Sequence, residues 1–108
     1  MQVTSEQIGA VTVARLSGDL DTGTSSAAGD ALTALLDDGA QTLLVNLEDV
    51  GFVSSAGLRV LLAAAKRLST KLRVCGLNET VQEVFDISGF CTILSVVDSE
   101  KEAIEGLS

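Results

Sequence analysis

Apolar and polar positions along this chain alternate with two periods, one strand-like and one helical, and the change of period falls at clusters of turn residues. Val3 to Ile8 and Val11 to Leu16 are short strand-like runs, and Gly9-Ala10 between them predicts a tight antiparallel hairpin. Gly18-Asp19-Leu20-Asp21-Thr22-Gly23 is a turn cluster. From about Ser25 to Asp37, Ala28, Leu32, Leu35 and Leu36 recur at helical spacing, and Gly39 closes the element. Leu43, Leu44, Val45 and Leu47, within the run Thr42 to Leu47, predict a strand covered on both faces. A helix from about Ala56 to Leu68 carries Leu58, Leu61, Leu62, Ala65 and Leu68 on one face, with Arg59 and Lys66 on another. Leu72-Arg73-Val74-Cys75 reads as the next strand. Asn78 is placed to cap a short helix through about Asp86, with Val81, Val84 and Phe85 inward and Gly89 as its stop. Thr92 to Val97 predicts a last strand, and Ser99-Glu100-Lys101-Glu102 is a capping-box pattern opening a helix with Ala103, Ile104 and Leu107 inward. The order ββαβαβαβα predicts one α/β domain over residues 1–108, a mixed and mostly parallel sheet of four to five strands with four helices.

Composition narrows the function. The chain has 108 residues, of which 46% are hydrophobic, enough for one core without staples. Three Phe and no Trp or Tyr leave that core to Val, Leu, Ile and Ala. There is no histidine, which removes the commonest general base and the commonest metal ligand, and neither a metal nor a cofactor is expected. Cys75 and Cys91 have no CxxC spacing and read as small buried hydrophobes in a reducing, cytoplasmic setting. A formal net charge of −8 argues against nucleic acid or an anionic membrane as partner. Met1-Gln2-Val3-Thr4 lacks the basic start of a signal peptide, and the apolar stretch Val60 to Ala65 is far too short to span a bilayer.

In open α/β sheets function gathers in the loops after the carboxyl ends of strands. Two such loops stand out, Gly18 to Ser26 and Asp49 to Gly57, and they share one edge of the sheet if strands two and three are neighbours. The second contains Phe52-Val53-Ser54-Ser55-Ala56-Gly57-Leu58-Arg59, which sets two hydroxyls where a strand turns into a helix. Such a place suits an N-cap, an anion site or a phosphorylatable serine. The helix start offers unpaired N–H groups and partial positive charge, and Ala56 and Gly57 leave the approach open. A phosphate here would be accommodated by the helix end, adding up to about two negative charges while the fold stays intact. The plainer alternative is that Ser54 and Ser55 only cap the helix, a contribution of about 1 kcal/mol.

Leu16-Ser17-Gly18-Asp19-Leu20-Asp21, and Leu44-Val45-Asn46-Leu47-Glu48-Asp49-Val50 running into Phe52-Val53-Ser54-Ser55-Ala56-Gly57-Leu58-Arg59-Val60-Leu61, are each weak signals alone. Taken together, at this spacing, they resemble a STAS domain of the anti-sigma-factor antagonist family. The resemblance covers nearly the whole chain. It implies a partner-switching regulator without catalysis of its own. A partner that is both anti-sigma factor and serine kinase of the GHKL class binds the unphosphorylated form and releases the phosphorylated one, and a PP2C-type phosphatase resets it. The best-known members read Asp-Ser-Ser-Gly, with the modified serine directly before the glycine. Here that position is Ala56, so Ser55 is the expected acceptor and Ser54 the second choice. By the same resemblance Asp21, Ser54, Ser55, Ala56, Gly57 and Arg59 form the partner-binding surface. A turn role for Asp21 and a solvated helix face for Arg59 and Lys66 stand as the structural alternatives.

Three rivals remain in view. An enzyme would need a base or an activated nucleophile, and Cys91 has no partner of that kind. A receiver-like domain would want paired acids after its first strand and a lysine after its fifth, a pattern that Asp19, Asp21, Asp49 and Lys101 match only loosely. A nucleotide or small-ligand module would want a Gly-rich phosphate loop, and the acids in Gly18 to Gly23 repel phosphate.

Overall fold

Gly9 takes a φ of 61°, a turn conformation open to glycine. Around it the chain folds back as β1 (Gln2–Ile8) and β2 (Val11–Ser17), antiparallel with Val3 opposite Leu16 and Ile8 opposite Val11. The structure is a computed structural model that describes residues 2–9, 11–39, 42–68, 72–88 and 95–97. Beyond the hairpin lie α1 (Ser25–Asp37), β3 (Leu43–Asp49), α2 (Ser55–Leu68), β4 (Leu72–Cys75), α3 (Glu79–Ser88) and β5 (Ser95–Val97). The five strands form one sheet in the order β1-β2-β3-β4-β5, parallel from β2 onward.

Strand alternation sends side chains to two faces. Ala14 and Leu16 of β2, Leu43, Val45 and Leu47 of β3, and Leu72 and Val74 of β4 meet Ala28, Leu32 and Leu36 of α1 in one core. Leu58, Leu61, Ala64 and Ala65 of α2 and Val81 and Phe85 of α3 join the same core. All three helices therefore lie on one side of the sheet. On the opposite side Val11, Val13, Leu44 and Cys75 form a second buried cluster with Ile8 against it. Each buried Val or Leu stabilises the fold by about 1.5–3 kcal/mol.

The predicted hairpin, α1, β3, α2, β4 and α3 are all present, with shifted ends. β3 runs two residues past Leu47 because the backbone ladder outlasts the apolar run: Ser17 pairs with Asp49 beyond a register shift in β2. On α2 the core residue missing from the predicted stripe is Ala64, which sits where α1 and α2 meet with Leu32 and Leu36, while Leu62 is half-buried. The Arg67 guanidinium reaches Asp37 of α1 at 2.9 Å, an exposed pair that contributes little. α3 extends to Ser88, and β5 is described from Ser95 rather than Thr92. Cys75 is buried, as expected of a packed thiol. The stop at Gly89, Cys91 and the capping box with its fourth helix lie outside the described residues.

Candidate functional site

Because β2 and β3 are parallel neighbours, the loops that follow them share one sheet edge, and backbone hydrogen bonds tie them together. The Gly18 N–H donates to the Asp49 carbonyl (3.1 Å), Leu20 N–H to Phe52 O (2.8 Å), and Ser54 N–H to Leu20 O (2.8 Å). Leu20 and Val53 form a parallel bridge, and both side chains are buried. A third loop joins through Asn78, whose amide Nδ2 donates to the carbonyls of Val50 and Gly51, each at 3.3 Å. Its Oδ1 meanwhile accepts the Val81 N–H at 2.8 Å and caps α3. Sequence reading found the cap but not the tie. The available signal was the amide itself, since asparagine can donate to one loop while accepting from its own helix.

This bracing fixes the register of the two serines. Ser54 is the N-cap of α2: it is half-buried, its Oγ accepts the Gly57 N–H at 3.2 Å, and its carbonyl accepts the Leu58 N–H at 2.9 Å. Ser55 is the first helical residue and is exposed, and its Oγ makes no hydrogen bond among the described residues. Ala56 is half-buried and carries no hydroxyl. Gly57 is buried, and a Cβ there would fall 2.7 Å from both the carbonyl oxygen and the Cγ of Leu20. It lets the first turn of α2 sit against the neighbouring loop.

Asp21 follows directly on Leu20 and is half-buried. Its Oδ1 accepts from the N–H groups of Gly23 (2.9 Å) and Thr24 (3.1 Å), and the Thr24 hydroxyl lies 3.2 Å away. That is the turn role, a carboxylate shaping the entry to α1. Arg59 is exposed on α2 one turn beyond Ser55 and forms no ion pair among the described residues; Lys66 is exposed farther along. Phe52, in the second of the braced loops, is 42% exposed, an aromatic held in the open by a backbone whose carbonyl accepts the Leu20 N–H. Composition alone did not mark it.

The fold and this braced serine junction define a class: a small α/β domain that displays a hydroxyl at a helix start. A STAS domain family model matches residues 2–103, and the chain belongs to that family. It is 35% identical over 106 residues to the Bordetella bronchiseptica protein BtrV, covering 95% of this chain and 91% of BtrV. To the anti-sigma F factor antagonist of Paenibacillus polymyxa it is 30% identical over 115 residues, covering 99% and 95%. The Bacillus cell fate determinant SpoIIAA shares the fold. Its unphosphorylated form superposes with a TM-score of 0.82 at 24% identity over 98% of this chain and 96% of that one. Its phosphorylated form gives 0.74 at 23% over 99% and 100%.

Proposed function

We propose that this STAS domain is an anti-sigma-factor-antagonist-type switch, a binder and substrate rather than a catalyst. Unphosphorylated, it docks on a partner that is both serine kinase of the GHKL class and anti-sigma factor. The kinase brings the γ-phosphorus of ATP to the Ser55 hydroxyl, the Oγ–P bond forms as the bond to ADP breaks, and the hydroxyl proton passes to the kinase's base. The new charge disfavours the docked state, and a PP2C-type phosphatase hydrolyses the ester and restores the binder. We place the cycle in the cytoplasm, where ATP is at hand. The observation that carries it is the division of labour at the junction: the Ser54 hydroxyl is engaged in capping α2, while that of Ser55 is exposed and free to react. The similarity to the anti-sigma F factor antagonist of Paenibacillus polymyxa supports the same reading. Arg59 and the exposed Phe52 contribute contacts, while Asp21, Ala56 and Gly57 shape the surface. Incubating the protein with a serine kinase of that class and ATP should place one phosphate per chain at Ser55 by mass spectrometry; phosphate confined to other residues would refute the assignment.

A further inference from the structure

We propose that Arg59 is an intramolecular receptor for the phosphate on Ser55, so that one modification both adds a dianion and withdraws a cation from the docking surface. This rests on Ser55 being the acceptor. Ser55 and Arg59 stand four residues apart on α2, and both are exposed. Residues at that spacing lie one above the other, with Cβ atoms about 5–6 Å apart, and an acid placed N-terminal to a base is the favourable orientation.

The other cations of α2 are excluded by distance or by engagement. Lys66 is eleven residues beyond Ser55, about 16 Å along the axis at about 1.5 Å per residue. Arg67 is held by Asp37 on α1 at 2.9 Å. Arg15 of β2 meets Glu6 of β1 at 3.0 Å. Among the described residues, Arg59 alone of the cations has a hydroxyl one turn before it on its own helix face. A guanidinium matches a phosphate with two parallel N–H donors, where an ammonium offers a point charge.

Before modification Arg59 is available to a partner's acidic group. After modification it turns back along its own helix. The partner then loses a contact and meets a phosphate at once, which makes the switch steeper than added charge alone.

The test installs phosphoserine at position 55 during synthesis, so that it does not depend on any kinase, in chains carrying Arg59, R59K or R59Q. Phosphorus NMR titration at low salt should give a second phosphate pKa about half a unit lower with Arg59 than with R59Q, because a nearby cation favours the dianion. R59K should fall between them, and the gap should shrink as salt is raised. The Nε–H resonance of Arg59 should also move on phosphorylation. Superposable titrations for Arg59 and R59Q with an unmoved Nε–H would overturn the pairing. The effect of the helix end is common to all three chains and cancels. A kinase that leaves Ser55 unmodified would count against the proposed function, whereas equal titrations would count against Arg59 alone.

Discussion

Phosphate uptake by Ser55→Ala protein is expected to fall to background, and Ser55→Asp protein is expected to bind the kinase partner about 30-fold more weakly, a difference of about 2 kcal/mol. Both effects follow from the place of Ser55 at the first position of α2, exposed and outside the capping bond. The neighbouring serine should behave in the opposite way. Ser54→Ala removes the acceptor for the Gly57 N–H, which costs about 1 kcal/mol of stability, yet leaves the acceptor hydroxyl in place. Urea denaturation and phosphosite mapping on the three variants separate the two roles. Full incorporation into Ser55→Ala, carried by Ser54, would exchange them.

Gly57→Val is expected to be the most damaging single change near the site. Its Cβ would sit 2.7 Å from the Leu20 carbonyl oxygen, backbone that cannot yield without breaking the bond it accepts from Ser54 N–H. Glycine in a helix ordinarily gives up about 1 kcal/mol to alanine. Overpacking against fixed backbone costs about 1–3 kcal/mol or more and opposes that gain. We therefore expect Gly57→Ala to be destabilised despite its better helix propensity, and Gly57→Val to lose about 3 kcal/mol together with kinase binding. Urea midpoints decide it: a Gly57→Ala protein as stable as the parent would mean that Leu20 moves aside freely.

The hairpin, β3 and the helices α1, α2 and α3 were legible because their apolar periods are strong and glycines punctuate them. What remained illegible was set by neighbours in space. Glu48 and Asp49 are exposed polar residues that no pattern would place in a strand, and they are kept there by the ladder to Ser17. Ser54 and Ser55 are chemically identical and adjacent, so the roles of cap and displayed hydroxyl depend on a one-residue register. The bond from Ser54 N–H to Leu20 O, made by a loop more than thirty positions earlier, sets it. Asp21 was legible as a turn aspartate from its Asp-Thr-Gly setting, and its carboxylate makes those local bonds. The amide's capacity to donate and accept at once was the one sign that Asn78 would stitch two loops, since its partners there are main-chain carbonyls and carry no residue signature.

The uninterrupted strand sequence has a consequence for what such a molecule can recognise. Doubly wound sheets create a crevice where successive crossovers diverge to opposite sides, and small ligands lodge there. With β2 to β5 laid down in order and their three crossovers on one side, the described strands open no such fissure. The rim they build is stitched by backbone hydrogen bonds and carries the exposed Ser55, Arg59 and Phe52. In the switch proposed above, such a rim is read through its displayed side chains and their charge rather than through a small molecule lodged between strands.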